Sequence, residues 1–378
     1  MAHSHPVPRG YVLVLVAILS AALPASGWAW GGATHHYIAQ NYSQHLPPYM
    51  DGLRAYDSVV DQKVTDPDTR KPTTPGESYR HYIDIDAYPG FFSGTLSHNR
   101  ATLEAQYGAS TVLNNGVIPW AAGEVVATLT QQFQAQQWSE AAVTIADLCH
   151  YVGDADQPLH CTQNYDGQLT GNSGIHSRYE SSMMSTHIGD LHTSAMTVTY
   201  YPNAVDEMFD IITASWAGVS TILQADNTAR TASGGTINST YYASLWASTQ
   251  SLTRTRIDSA TVSTASFVYT AWVNAGEPAV PGSSAGVDPV AVTGAHLGVS
   301  PTPFRDRLAI RFTGAGPLSV DVFDVRGSRV ARLVESASGA GGVSWRPADS
   351  GRQIAPGLYF IRLAGPKVNL VRRVTLLE

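Results

Sequence analysis

The stretch Cys149-His-Tyr-Val-Gly-Asp-Ala-Asp-Gln-Pro-Leu-His-Cys161 sets an imidazole, His150, and a carboxylate, Asp154, four residues apart. On a helix that spacing stacks both side chains on one face, aimed at one point. Pro158 takes the chain out of the helix, and His160 follows at once. His176 and Glu180 then repeat the four-residue device. A single pair of this kind is an ordinary surface ion pair. Two of them with a turn histidine between form a nitrogen and oxygen donor set that suits Zn²⁺, whose bonds to such ligands are about 2.0–2.2 Å.

The elements that must position these residues follow from apolar spacing. Ala142, Ile145 and Leu148 recur at three- and four-residue intervals and predict a helix over 138–153, with His150 near its C-terminal end. Val125, Leu129 and Phe133 predict another within 100–136, and Trp120 and Trp138 are expected in the core. Residues 166–173 read as the loop joining the two ligand pairs, with Met183 and Met184 packing the helix that carries His176. Helical patterns over 203–225 and 239–275 complete a mainly α domain. Pro278–Pro289 is rich in Pro, Gly and Ser and reads as a linker, spanning about 278–296. Beyond it the period becomes two, at Leu308–Phe312, Leu318–Asp324, Gly357–Leu363 and Val368–Leu377, the pattern of a small all-β sandwich over 297–378.

The chain's 378 residues suffice for two domains with a sizeable core. Residues 1–29 read as a secretory signal peptide, with Arg9, an apolar run from Tyr11 to Leu23 and small residues near Ala29. That run is shorter than the ~20 residues a bilayer span needs, and no other transmembrane candidate follows. The net charge of -7 hides an asymmetry: residues 282–378 carry 12 Lys and Arg against 7 Asp and Glu, and residues 1–281 carry 11 against 23. The front part has no basic stripe to follow a phosphate backbone, which weighs mildly against polynucleotides as the main partner. Cys149 and Cys161 bracket the motif. A disulfide, two buried thiols or sulfur ligands all stay open, because spacing alone fixes no Cα separation.

His150-Tyr-Val-Gly-Asp-Ala-Asp-Gln-Pro-Leu-His160, followed by Gly174-Ile-His-Ser-Arg-Tyr-Glu180, closely resembles the bacterial zinc-dependent phospholipases C. That family shares its fold and trinuclear zinc site with the fungal and plant zinc-dependent single-strand nucleases. The resemblance covers about residues 30–275 and implies a multi-helix hydrolase domain over 30–277 holding three zinc ions. It implies that Trp30, made N-terminal by cleavage, chelates zinc through its α-amino nitrogen and carbonyl oxygen, with His35 supplied by Trp-Gly-x-x-x-His. The family's Asp, about fifteen residues before a liganding His, falls on Asp66 before His81, with Asp61 as competitor. One ion would then take Asp66, His81, His150 and Asp154; a second Trp30, His35 and a bridging Asp154; a third His160, His176 and Glu180. Asp66 and Asp154 are the implied catalytic carboxylates. His36, His187 and His192 fall outside the pattern, and Asp84 and Asp86 are expected as capping or solvated loop carboxylates.

The implied activity is hydrolysis of a phosphodiester by metal-activated water. Glu180 resembles the phospholipase branch and points to a phospholipid head group, whereas the Trp-Gly-x-x-x-His opening looks more like the nuclease branch and its single-stranded nucleic acid. A non-catalytic zinc-binding surface protein is the rival from another class. Pro301-x-Pro-Phe, Val322-Phe-Asp-Val-Arg-Gly and Gly357–Gly365 resemble the C-terminal sorting domains of type IX (Por) secretion substrates. This implies export through the periplasm by that machinery, to be released or held at the cell surface. The chain is expected to act as a monomer.

Overall fold

The computed structural model describes residues 31–283, 295–300, 303–305, 307–314, 316–337, 339, 341–350, 354–366 and 368–377. The expected signal segment, Trp30 and most of the expected linker lie outside the described residues. Short helices come first: α1 (Gly32–Asn41), α2 (Asp57–Lys63), α3 (Asp66–Arg70) and α4 (Pro89–Phe92). The helix expected over 100–136 is three, α5 (Arg100–Tyr107), α6 (Ala109–Asn114) and α7 (Ile118–Gln134). Gly108 and Gly116 divide it, with φ of 88° and 87°, a backbone state that no right-handed helix continues through.

Helix α8 (Trp138–Ala155) lies where expected and runs two residues further. Then α9 (Ile175–Ser177) passes through a π turn, Arg178–Met183, into α10 (Met184–His187). The pattern over 203–225 splits at Ala217-Gly218 into α11 (Ala204–Trp216) and α12 (Val219–Ala232), and α13 (Ser239–Asn274) closes the domain. Side-chain caps fix the starts of two of these: Asn203 accepts from the N–H groups of Val205 and Asp206, and Asn238 from that of Tyr241.

The core forms around α8, which packs against α1, α2, α7, α11 and α13. Ala141, Ile145, Leu148, Tyr151, Val152 and Ala155 are all buried, so the helix is enclosed on nearly every side and carries His150 and Asp154 into the interior with it. Each fully buried Leu or Ile contributes roughly 1.5–3 kcal/mol of that packing, which offsets the cost of enclosing two polar groups. Trp120, Trp138, Met183 and Met184 are buried as expected. Pro278–Ser283 turns back onto the same domain. The Trp272 indole donates to the Pro278 carbonyl (2.8 Å), Val280 is buried, and the Gly52 N–H donates to Ser283 Oγ (2.8 Å).

The second domain has two antiparallel sheets. One is β1 (His296–Ser300), β2 (Leu308–Thr313) and β5 (Gly341–Trp345), in the order β1-β2-β5. The other, in the order β4-β3-β6-β7, takes β3 (Leu318–Asp324), β4 (Arg329–Ala337), β6 (Gly357–Gly365) and β7 (Val368–Leu376). Leu308, Ile310 and Trp345 of the first share one core with Val320, Ile361 and Val374 of the second, which makes a small sandwich. A mainly α domain followed by a small all-β domain is the expected fold class. Among the described residues no helix is long and apolar enough to cross a membrane.

Candidate metal centre

The last turns of α8 place His150 and Asp154 on the face that meets α1 and the segment Glu77–His81. Around them the chain gathers three groups: His35, His150 and Asp154; Asp68, His81 and His150; His160, His176 and Glu180. Within each group the ligand atoms all lie within 4.8 Å of one another. Asp154 faces four imidazoles. Its Oδ2 is 2.9 Å from His81 Nδ1 and 3.4 Å from His150 Nε2, and its Oδ1 is 3.4 Å from His35 Nε2 and 3.6 Å from His160 Nδ1. His35 stacks on His150 with ring centroids 3.9 Å apart, which sets α1 against α8.

Hydrogen bonds on the outer edges of the rings settle which nitrogens face inward. His150 Nδ1 lies 2.7 Å from the Val64 carbonyl, His160 Nδ1 2.7 Å from the His81 carbonyl, and His176 Nδ1 3.1 Å from the Tyr165 carbonyl. A carbonyl only accepts, so each Nδ1 carries the proton and each Nε2 presents its lone pair inward. The Nε2 atoms of His160 and His176 thus meet at 3.1 Å, with Glu180 Oε2 at 3.4 and 3.0 Å. Two lone pairs beside a carboxylate suit a cation between them. His81 is turned the other way, Nδ1 inward and Nε2 3.6 Å from Glu77 Oε1.

Buried polar atoms without partners mark the same place. Both ring nitrogens of His35, His81 Nε2, Asp154 Oδ1, Asp68 Oδ2 and Glu180 Oε1 are enclosed with no hydrogen bond. Leaving so many unpaired is costly, and ions bonded to imidazole nitrogen and carboxylate oxygen would satisfy them. Burial works to raise the carboxyl of Asp154, but His150 and His160 outweigh it and hold it well below the usual range. Glu180 is likewise lowered, to about 2, by His176 and His160 against burial. Burial and the neighbouring His35 push the pKa of His150 well below normal, whereas, against burial, Asp154 and Glu180 push that of His160 up. Anionic carboxylates and neutral imidazoles are the ligating forms.

Of the residues singled out in the sequence, His35, His81, His150, Asp154, His160, His176 and Glu180 are brought together, and Trp30 lies outside the described residues. Asp66 is not among them. It opens α3, is 35% exposed and pairs with Lys63 at 3.2 Å. Asp68, two positions on and roughly 200° around the helix, turns inward instead. Its Oδ1 lies 3.6 Å from His150 Nε2, 3.7 Å from His81 Nδ1 and 2.6 Å from Lys71 Nζ. Asp61 binds His36 at 2.7 Å, away from the cluster. His187 stacks on Trp246 and pairs with Asp190, and His192 is exposed. Asp86 is not simply solvated: it accepts from Thr162, from the Gln163 N–H and from the Trp216 indole, tying down the chain after His160. Cys149 and Cys161 are two free, buried thiols and not a disulfide.

Two further residues touch the site. Gln157 accepts from the Leu159 N–H (2.6 Å) and donates to Glu180 Oε2 (3.1 Å), bridging the turn before His160 to the last carboxylate. Glu77 faces His81 while taking the Tyr151 hydroxyl and Arg70. Glu77 stands four residues before His81, the same helical interval with the carboxylate first, and that spacing is the signal that finds it.

No family model matches the chain, and no curated protein matches it. Among solved structures it is similar to the alpha-toxin of Clostridium perfringens isolated from avian strain SWCP. That match has 11% identity over 93% of this chain and 99% of the toxin, with a TM-score of 0.43. It is also similar to the alpha toxin of Clostridium absonum, with 12% identity over 92% of this chain and 97% of that one and a TM-score of 0.38.

Proposed function

We propose that this protein is a zinc-dependent phosphodiesterase acting on phospholipid head groups, with Asp68 in the place first given to Asp66. The observation that carries this reading is the convergence of four imidazoles on Asp154 beside a second set, His160, His176 and Glu180, whose inward nitrogens meet only each other and the Glu180 carboxylate. When bound, zinc ions activate water and neutralise charge at phosphorus, which an anionic diester otherwise uses to repel an attacking oxygen. Asp154 supplies the negative charge that keeps the rings facing inward. Asp68 Oδ1 is engaged by Lys71 while its Oδ2 is unpaired. That oxygen would be the base in this reading: it takes a proton from the water as the water oxygen bonds to phosphorus, and the departing alcohol oxygen takes a proton from solvent as its P–O bond breaks.

The α-amino ligand expected from Trp30 belongs to the same reading. It is supported by Gly31, on which a Cβ would lie 2.8 Å from Ser181 Oγ, beside Glu180, so the chain enters the described structure at the cluster. Glu180 and the acidic front part support a lipid over a polynucleotide substrate. Export, and a sorting role for 297–378, rest on the sequence resemblance.

The test is turnover of phosphatidylcholine against single-stranded DNA by zinc-loaded protein lacking residues 1–29. Lipid turnover abolished by a chelator is expected. Cleavage of DNA alone would move the protein to the nuclease reading. Full zinc content with neither substrate turned over would leave a non-catalytic zinc protein.

A further inference from the structure

His176 and Glu180 stand on the least regular helical stretch of the site, the three residues of α9 and the π turn that follows. The change of helical type there sets no fixed i, i+4 stacking for the two ligands. The fixing comes from Asp226 in α12, fifty residues further on. Its fully buried carboxylate accepts from Asn172 Nδ2 (2.8 Å), Arg178 Nη2 (3.0 Å), Arg230 Nε (2.8 Å) and the Tyr241 hydroxyl. Arg178 in turn donates to the Tyr241 oxygen (2.9 Å) and to the carbonyls of Ser173 (2.9 Å) and Asn172 (3.0 Å). The guanidinium therefore closes over the turn that delivers His176. Gly174 makes that closure possible: its φ is 84°, and a Cβ there would lie 2.5 Å from Arg178 Nη1.

We infer that Asp226, acting through Tyr241 and Arg178, positions His176 and Glu180, so that metal affinity in the His160–His176–Glu180 pocket depends on the docking of α12 and α13. The inference rests on the reading of those three residues as ligands. None of Asp226, Tyr241 and Arg178 has a donor atom in that pocket, so their effect on it is through geometry. A partner that orients a ligand typically changes metal affinity by about 10–100-fold.

The experiment titrates zinc into the full chain against a competing chelator, alongside apo-protein melting. His176→Ala deletes a donor and identifies the step that belongs to this pocket. Tyr241→Phe and Asp226→Asn should weaken that step by about 10–100-fold and leave the others in place. Added to His176→Ala they should cause no further loss, because the pocket they serve is already gone. Leu129→Ala, a fully buried position on α7 in the other core cluster, away from this network, is the control for stability alone. It should lower the Tm yet spare the step. The inference is overturned if Tyr241→Phe leaves the step unchanged, or if Leu129→Ala weakens it equally at a matched loss of Tm. A His176→Ala titration identical to wild type would overturn the ligand reading itself, and this inference with it.

Discussion

Asp66 and Asp68 stand two positions apart in Asp-Pro-Asp, and the fold gives them opposite surroundings. Asp66 makes an exposed pair with Lys63, worth at most about 1 kcal/mol, so Asp66→Asn should leave zinc content and rate close to wild type. Asp68→Asn keeps the shape of a buried donor but removes its charge, and turnover should fall by at least ~100-fold. Zinc titration and rates on the two variants decide between them; a loss confined to Asp66→Asn would return the role to Asp66. A second residue-scale prediction concerns Glu207 on α11, whose carboxyl is raised from its ordinary value of 4.5 to about 7 by burial and then by Asp210 and Asp206. Between those values the folded protein holds a proton that the unfolded chain has lost. Stability therefore falls as pH rises through that window, and is lowest above it. Glu207→Gln should raise the Tm at the upper end of the window and leave it unchanged at the lower end.

At the scale of elements, α8 was legible because apolar spacing, a proline stop and a His–carboxylate interval all agree over one stretch. The pair on His176 was legible from its His–carboxylate interval alone. Asp68 was not legible, since a family interval counted along the chain cannot tell which of two nearby carboxylates turns inward; that depends on where α3 starts. The splitting of the long helical patterns was written in Gly108, Gly116 and Gly218, whose cost in a helix apolar periodicity does not weigh. Packing between α1 and α8 carries its own prediction. A Cβ on Gly153 would lie 2.9 Å from Ile38 Cδ1 and 3.2 Å from His35 Nδ1. Overpacking of this kind costs about 1–3 kcal/mol. Gly153→Ala should therefore lower the Tm and weaken zinc at the His35 pocket before the His176 pocket, as read by titration.

At the scale of the whole molecule, the helical domain does not stop at Gly276. Val280 is buried in its core, and Pro278 and Ser283 take hydrogen bonds from Trp272 and Gly52. A chain ending at Ser283 should keep its zinc and its rate, whereas one ending at Gly276 loses a buried valine worth roughly 1.5–3 kcal/mol and should melt earlier. Melting curves and hydrolysis by the two truncated chains check this. Loss of turnover with zinc retained in the longer one would assign the β domain a part in the substrate site.

The two free thiols offer one more consequence. Cys149 and Cys161 are fully buried on either side of the ligands, and burial pushes both thiols up, so neither reacts while the core is shut. An alkylating reagent can reach them only through opening of that core, and its rate of uptake becomes a clock for the event. Zinc that binds the closed form should slow the clock in proportion to its excess over the dissociation constant. Chelation should restart it without any change in the reagent.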